Sequence, residues 1–544
     1  MFAGMLFQWC CRLGTRLSTS QLGALVILLN PTSADTAATL HVARYFISQQ
    51  SAQNEALSTA IMAEQMQAQD ETVLDIISDA RDWSGPNDVD NPRNFTLARR
   101  IYSTLAVTFL AFVSTFAASI YSPGAADVAA TFNVSEEVAI LPLSLFNLGL
   151  AFGPLIGAPL SETSGRKIVI LVTSPIFALF TLGAGFSPNI ASLIICRFFA
   201  GVFAAPAIGN ASATITDFTP GQHRAVAMGF YYSVPTFGAF LGPLVGGMAA
   251  QARGWRWSQW TTLFFLVTFY VPTLLTKETY KKTILQRRAA KLGIPGPPEI
   301  ERTIAEAVRY FATTLFLRPI HMLLTEPIAT LVCLYNGFLF GLIYSFVVAS
   351  PWVYEHYYGF DRTAQSLSFL GLITGTVVAP LPLIAIDRLM YQPRLKLYQQ
   401  SKPDEDRFPA EYRLYPALIG SWMLPICLFI FAWTARPAIH WICPLIFQGL
   451  SILASLLIYA SANLFMMDAY GPLYGASAAG AAMFSRYILS AAFPLFSLQM
   501  FKTLGVGWAT SCLAFCTLAM APIPWLFWRS GERLRSKTKY ETSS

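Results

Sequence analysis

Residues 229–247 read GFYYSVPTFGAFLGPLVGG, an apolar run whose glycines follow the pattern G-x8-G-x3-GP-x2-GG. The positions that set this spacing are Gly229, Gly238, Gly242, Pro243, Gly246 and Gly247. In lipid, small residues let neighbouring helices approach closely, and a proline inside a helix frees a carbonyl and permits a bend. The stretch therefore predicts a kinked, tightly packed hinge helix in a membrane, with an ordinary glycine-packed membrane helix as the alternative.

The composition of the whole chain also indicates a membrane protein. Of 544 residues, 54% are hydrophobic and 12% are charged, against about 25% charged in a typical soluble domain. A soluble fold this apolar would lack the polar surface that keeps it in solution. The formal net charge of +7 does not indicate a nucleic-acid partner, because the basic residues are not interleaved with aromatic residues on one face.

Twelve apolar windows after residue 100 approach the roughly 20 residues that a transmembrane helix needs. In the first half they are Ile101–Tyr121, Val138–Leu160, Ile168–Phe186, Ile190–Ile215, Ala225–Ala249 and Trp257–Leu275. In the second half they are Ile328–Ser350, Ser366–Ile386, Pro416–Thr434, Trp441–Met466, Leu473–Phe501 and Leu504–Phe527. The sequence thus predicts an all-α polytopic membrane protein whose two six-helix halves, 98–276 and 328–528, are joined by a basic cytoplasmic linker, 277–327.

The distribution of Lys and Arg among the loops predicts the orientation. Basic residues fall in alternate loops, in the linker and in the tail 529–544, which places both termini in the cytoplasm. We expect a multi-pass protein of the cell membrane, with the vacuolar membrane as the alternative, and a largely disordered cytoplasmic extension at 1–97. The sequon at Asn133 then faces outward as a glycosylation site, whereas the sequon at Asn94 faces inward and should stay unmodified.

A second motif lies between the second and third windows, where residues 158–167 read APLSETSGRK. Gly165 can supply the tight turn that a short loop needs. Glu162 and Arg166 can pair with each other or with a helix terminus. Arg166 and Lys167 also fit a plain basic loop that only fixes the topology.

A third motif is the pair Arg197 and Gly201, an R-x-x-x-G pattern that begins about seven residues into the fourth window. This position is roughly 10 Å from the outer boundary at 1.5 Å per residue. A central Arg costs ~2.5–3.5 kcal/mol on insertion scales. We therefore expect Arg197 to face a wet cavity and to have a partner, unless its side chain extends to the outer interface.

These three segments resemble motifs of the fungal drug:proton antiporters, a twelve-span branch of the major facilitator superfamily. The resemblance runs from about Asp82 to Ser536 and is most specific in the glycine-rich fifth window. It implies a fold of two six-helix halves around a central cavity. It also implies proton-coupled export of small amphipathic organic compounds, such as a drug, a toxin or a fungal metabolite, by alternating access.

The resemblance further assigns roles to the motif residues. It implies a cytoplasmic gate at Glu162, Gly165, Arg166 and Lys167, an antiporter hinge at the glycines and proline of residues 229–247, and proton coupling at Arg197. Carboxylates suited to carry a proton are scarce in the windows. We expect Asp217 to share the coupling with Arg197 through water, although a plain helix-end charge would also explain it.

Spans one, four, seven and ten line the cavity in this family. Among their residues, those expected to contact substrate are Asn210, Asn336, Tyr344 and Asn463. Each can instead bond a neighbouring helix, because buried polar groups need partners. Arg486 is a further charge embedded in a predicted span.

Other functions stay open at this point. The nearest alternative is a polyamine or nutrient transporter of the same superfamily, and a transport-dead sensor is another. An integral-membrane enzyme is disfavoured because the five histidines form no clustered metal-binding pattern. We expect no cofactor and no metal, a proton gradient as the energy source, and a monomer that acts on a small molecule within the lipid bilayer.

Overall fold

The computed structural model describes residues 48, 82–294, 306, 309, 313, 317–401, 408–535 and 540. All of them except residue 48 belong to one compact unit, 80–544, and the following account concerns that unit. The predicted disordered extension falls largely outside the described residues, as does the centre of the linker. The described residues form helices and connections and contain no strand.

Six long helices make up the first half. They are α1 (Leu97–Ser119), α2 (Glu136–Ser164), α3 (Arg166–Gly185), α4 (Ile190–Phe218), α5 (Gly221–Arg253) and α6 (Trp257–Leu274). Several begin at residues whose side chains accept a hydrogen bond from the free amides of the first turn. The Thr96 hydroxyl accepts from Arg99 N in α1, and the Asn189 side chain accepts from Ser192 N in α4.

Six further long helices make up the second half. Three of them are α7 (Pro327–Tyr358), α8 (Arg362–Val378, continued by Pro380–Ile386) and α9 (Tyr415–Thr434). The helical stretch Ile442–Met520 is broken at Gly471 and Gly505, whose φ angles are 60° and 70°. Only glycine adopts such angles readily, so the stretch divides into α10 (442–470), α11 (472–504) and α12 (506–520, continued by Pro522–Arg535).

Each of the twelve predicted windows coincides with one of these helices. Ten helical stretches in the described residues are long and apolar enough to cross a membrane. One of the ten, Ser477–Gly531, has 55 residues, or about 80 Å of helix, and Gly505 divides it into two crossings. The remaining helix, α6, is not among the ten but has 18 residues, a length that lies within the range of transmembrane helices. The all-α prediction is confirmed.

The glycines of α5 bring its backbone close to α1. A Cβ atom added at Gly246 would lie 2.2 Å from the carbonyl oxygen of Ile120, and one at Gly242 would lie 2.2 Å from Ser119 Oγ. A Cβ at Gly247 would lie 2.0 Å from the hydroxyl of Ser366 on α8. The fifth helix therefore packs against α1 of its own half and against α8 of the other half.

A second contact between the halves joins α2 and α11. The Asn147 side-chain amide donates to the carbonyl of Ser490 at 3.3 Å. The rings of Phe152 and Phe484 meet edge to face with centroids 5.9 Å apart. Together with the α5–α8 contact, this pairing closes the two halves around a central space.

The segment before α1 is held by the helix Lys281–Leu292, which lies in the first part of the linker. Arg288 donates to both carboxylate oxygens of Asp88 at 2.9 and 2.7 Å and to Asp90 at 2.9 Å. These hydrogen bonds hold the pKa of Asp88 well below its usual range. Because the pKa of Asp88 is lower in the folded protein than in the unfolded chain, the contact stabilises the fold fully at pH values above the unfolded pKa. The contact weakens only in strong acid, where Asp88 becomes protonated.

We predict that Gly246→Ala destabilises the protein and that Gly229→Ala does not. The new methyl at position 246 would meet the Ile120 carbonyl, which is backbone and cannot rotate away, whereas at position 229 the nearest atom is a Leu383 methyl 3.8 Å away. Overpacking of this kind costs about 1–3 kcal/mol. Melting temperatures of the two purified variants in detergent would check this. Equal melting temperatures would contradict the close α1–α5 packing.

Candidate functional site: a cavity open at one end

A cavity of about 1420 Å³ lies between the two halves. Its mouth is lined by charged residues such as Arg166, Asp217 and Arg535, so we call this end of the bundle the Arg166 end. Further in, its wall is formed by Pro206, Asn210, Tyr231, Tyr232, Tyr459, Asn463, Met483 and Arg486. The cavity is thus polar at its entrance and aromatic near the middle of the helices.

The opposite end, here called the Asp127 end, is closed by contacts between the halves. Arg362 Nη1 lies 3.1 Å from Asp127 Oδ1, and Lys502 Nζ lies 2.6 Å from Glu136 Oε2. In each pair the acid belongs to the first half and the base to the second. A void of only about 300 Å³ is left beside them, so the central cavity opens at the Arg166 end alone.

At the mouth, Arg166 joins α3 to α4. Its Nε lies 3.5 Å from Asp217 Oδ2, and its Nη1 donates to Ser161 Oγ at 2.6 Å. Thr279 Oγ1 donates to the same Asp217 oxygen at 3.0 Å. The predicted gate residue Arg166 and the predicted coupling residue Asp217 are therefore in direct contact, which the sequence analysis did not anticipate.

The acid that caps α3 is Glu278 rather than Glu162. Glu278 accepts hydrogen bonds from the backbone amides of Arg166 and Lys167 at 2.9 and 3.1 Å, where the helix dipole favours a negative charge. Gly165 has φ 95°, and a Cβ there would lie 2.4 Å from Glu278 Oε2. Glu162 has no ion pair or hydrogen bond among the described residues, and Arg166 contacts Asp217 and Ser161 instead, so Glu162 and Arg166 do not pair in this conformation.

The second half repeats the contact between Arg166 and Asp217 with different residues. Arg413 Nε lies 2.9 Å from Asp468 Oδ2, and Arg413 Nη1 lies 4.0 Å from Asp387. Asp468 is near the end of α10, as Asp217 is near the end of α4. The role of Arg413 was not predicted from the sequence. The acid at the end of the fourth span in each half was the signal that could have pointed to a basic partner.

Arg197 is fully buried, with 1% of its surface exposed, and lies away from the cavity. Its Nη1 and Nη2 donate to the carbonyls of Ala117 and Ala118 at 2.8 and 3.1 Å, near the C-terminal end of α1. Its guanidinium also lies 4.5 Å from the centre of the Phe146 ring. Arg197 therefore has the partner that was expected for a buried charge, and this partner is the pair of backbone carbonyls near the end of α1. Asp217 is about 30 Å further along the same helix.

The four predicted cavity residues divide into two pairs. Asn210 and Asn463 line the cavity, and the Asn463 amide donates to the Tyr459 carbonyl at 2.7 Å. Asn336 and Tyr344 are buried on α7 and do not line the cavity in this conformation. Neither the Asn336 amide nor the Tyr344 hydroxyl has a hydrogen-bond partner among the described residues. The tyrosines of the wall, Tyr231, Tyr232 and Tyr459, were not predicted from the sequence.

Arg486 lies on the cavity wall near the middle of α11 and is 5% exposed. It donates through Nη1 to the hydroxyl of Tyr459. Its guanidinium lies 4.6 Å from the ring centre of Phe340 and 4.5 Å from that of Tyr487. Each such cation–π contact contributes about 0.5–2 kcal/mol, which offsets part of the cost of a central Arg. The predicted embedded charge is thus placed at the deep part of the cavity.

We predict that Glu278→Gln lowers the melting temperature and that the matched change Glu162→Gln does not. A neutral amide at position 278 keeps the size but loses the charge on the α3 amides, and its NH₂ group cannot accept from them. Hydrogen bonds to charged groups contribute about 1.5–3 kcal/mol. Thermal unfolding of both variants in detergent would test this, and a larger loss for Glu162→Gln would contradict the assignment of the cap.

Comparison with known proteins relates this architecture to transporters. The chain is 35% identical to the MFS-type transporter traF of Penicillium crustosum over 465 residues, which cover 85% of this chain and 93% of that protein. It is 33% identical to Polyamine transporter 4 of Saccharomyces cerevisiae, covering 84% and 73%. It is 34% identical to the efflux pump FUBT of Fusarium oxysporum, covering 84% and 76%.

Solved structures support the same fold. The proton:xylose symporter XylE aligns with a TM-score of 0.58 at 14% identity, over 80% of this chain and 96% of its own. The human organic anion transporter MFSD10 aligns with a TM-score of 0.54 at 14% identity, over 80% and 100%. The sequence model of the Major Facilitator Superfamily matches residues 107–494. The chain therefore belongs to the major facilitator superfamily, has its fold, and is a multi-pass membrane transporter rather than an enzyme.

Proposed function

We propose that this chain is a proton-coupled efflux transporter that exports small amphipathic organic compounds by alternating access. The observation that carries the proposal is the cavity itself, which is open at the Arg166 end and closed at the Asp127 end by Asp127–Arg362 and Glu136–Lys502. Alternating access requires such a state and its opposite. Exposed ion pairs contribute at most about 1 kcal/mol each, so these two contacts can form and break readily.

The bias of Lys and Arg toward the Arg166 end supports a cytoplasmic position for that end. In that orientation the cavity loads from the cytoplasm, as an exporter requires. A relative supports the same direction, since FUBT of Fusarium oxysporum is named an efflux pump. We place the protein in the cell membrane with both termini in the cytoplasm, as a monomer.

For proton coupling we propose Asp217, which lines the cavity beside Arg166. A carboxylate that exchanges a proton can also make or break its ion pair with Arg166, which links protonation to the contact between α3 and α4. Arg197 lies about 30 Å along α4 from Asp217, so it can affect coupling only indirectly, through α1. Its hydrogen bonds to Ala117 and Ala118 suit such a positioning role.

A second candidate function is polyamine or nutrient transport. The polyamine transporter of Saccharomyces cerevisiae has 33% identity to this chain, which supports this alternative. A polyamine carrier needs free carboxylates at its binding site, because each ammonium group requires a partner when it leaves water.

We predict that inside-out vesicles containing the protein accumulate amphipathic dyes when their lumen is acidic and not when a proton ionophore is added. The dyes would be fluorescein, Nile red and rhodamine, which differ in charge, and accumulation of any one of them beyond that in vesicles without the protein would meet the prediction. Asp217→Asn should lower gradient-driven accumulation at least about tenfold, because the amide cannot carry a proton. Accumulation that is equal with and without the gradient would indicate a facilitator and contradict proton coupling.

We predict that Asn133 carries a glycan in a eukaryotic host and that Asn94 does not. Asn133 is exposed, has φ 56° and lies before α2 at the Asp127 end, whereas Asn94 lies at the Arg166 end, where its amide donates to Pro86 and Asp88. Asn133→Gln should therefore abolish an endoglycosidase-sensitive mobility shift, and Asn94→Gln should leave it unchanged. The reverse pattern would indicate the opposite topology, with the Asp127 end in the cytoplasm.

A further inference from the structure

Arg486 is a buried cation with no carboxylate partner in the part of the chain that the structure describes. Its guanidinium donates a hydrogen bond to the Tyr459 hydroxyl and makes cation–π contacts with the rings of Phe340, Tyr459 and Tyr487. Its Nε, which is buried, has no hydrogen-bond partner. A buried charge is normally paired, so Arg486 retains unused capacity to bind an anion.

The other arginines that line the cavity all belong to its mouth rather than to its deep part; they are Arg93, Arg166, Arg224, Arg394, Arg529 and Arg535. Arg166 pairs with Asp217, Arg413 with Asp468, and Arg535 with Glu411. These ion pairs engage three of the four carboxylates that line the cavity, and the fourth, Glu162, is also at the mouth. Asp468 is about 13 Å along α10 from Tyr459. The deep part of the cavity therefore carries a positive charge and no acid.

The wall beside Arg486 is aromatic. The rings of Tyr232 and Tyr459 meet with centroids 4.8 Å apart, and those of Tyr231 and Tyr232 with centroids 5.3 Å apart. All three tyrosines line the cavity, and Met483 adds a polarizable thioether. These groups suit a planar apolar body placed next to the guanidinium.

We propose that this site takes an amphipathic organic anion, with a carboxylate on Arg486 and Tyr459 and an aromatic or aliphatic body against Tyr231, Tyr232 and Met483. The inference rests on the proposed efflux function only for the direction of movement. A planar guanidinium fits a carboxylate through two parallel hydrogen bonds. A polyamine is disfavoured at the same place, because its ammonium groups would meet Arg486 and no free acid.

Equilibrium binding to the full-length protein in detergent tests this proposal without requiring transport. The probes are 1-naphthylacetate, the matched neutral 1-naphthylacetamide, and spermidine, titrated by calorimetry at neutral pH. The acid and the amide have nearly the same shape, so their difference reports the charge. We expect the acid to bind about ten- to hundredfold more tightly than the amide, and spermidine to show no saturable binding.

Substitutions test whether the preference for the acid over the amide arises at Arg486. Arg486→Gln should reduce the affinity for the acid to that for the amide and leave the amide unchanged. Arg486→Lys should give an intermediate affinity, because the charge is kept and the double hydrogen bond is lost. Tyr459→Phe should weaken the acid several-fold, and the exposed Arg436→Gln is the matched control that should not change it. Elution as a single monodisperse species would confirm that each variant is folded.

The outcomes separate this inference from the proposed function. Selective binding of the acid that depends on Arg486 would support the anion site. If dye accumulation in vesicles were at the same time equal with and without the proton gradient, proton coupling would be overturned and the anion site would stand. Equal affinities for acid and amide in the unmodified protein, no binding of either, or full acid affinity in Arg486→Gln would each overturn the anion site. Saturable spermidine binding would favour the polyamine alternative instead.

Discussion

The constraint on which this structure depends is that a charge buried among membrane helices needs a partner. Water cannot solvate such a group in the bilayer core, so protein atoms must. Arg197 uses the free carbonyls near the end of α1, and Arg166 and Arg413 use the acids that end α4 and α10. These contacts join neighbouring helices; those of Arg166 and Arg413 lie at the mouth of the cavity, whereas Arg197 lies away from it.

The repeated use of one ion pair in both halves has a consequence for motion. An Arg from the loop after the second or eighth span binds an Asp at the end of the fourth or tenth span. Each half is thereby braced within itself at the Arg166 end. The ion pairs Asp127–Arg362 and Glu136–Lys502 cross between the halves at the other end. This distribution lets each half move as a body, because the interface that must open is held by separate, weaker pairs.

Much of the fold could be predicted from the sequence because lipid imposes simple rules. Apolar length located all twelve helices, and the glycine spacing of residues 229–247 indicated the close approach of α5 to another helix. The local motif also predicted the need for Gly165. Contacts between distant residues were not predictable, since Asp127 and Arg362 are brought together only by the packing of the halves. Asn336 and Tyr344 do not line the cavity in this conformation. The sequence could not indicate this, because α7 is buried almost all round and no apolar face shows which side meets the cavity.

The way in which Arg486 is held bears on what a transporter must do. A guanidinium neutralised by a buried carboxylate would have to break a strong pair before it could bind an anionic ligand, and the abandoned acid would then repel that ligand. Aromatic rings stabilise the cation without this competition, because they remain in place when a carboxylate arrives. They also hold it less strongly than an acid would. A site of this kind can bind an anion and release it when the cavity opens to water, since hydration then replaces the hydrogen bonds that the ligand loses.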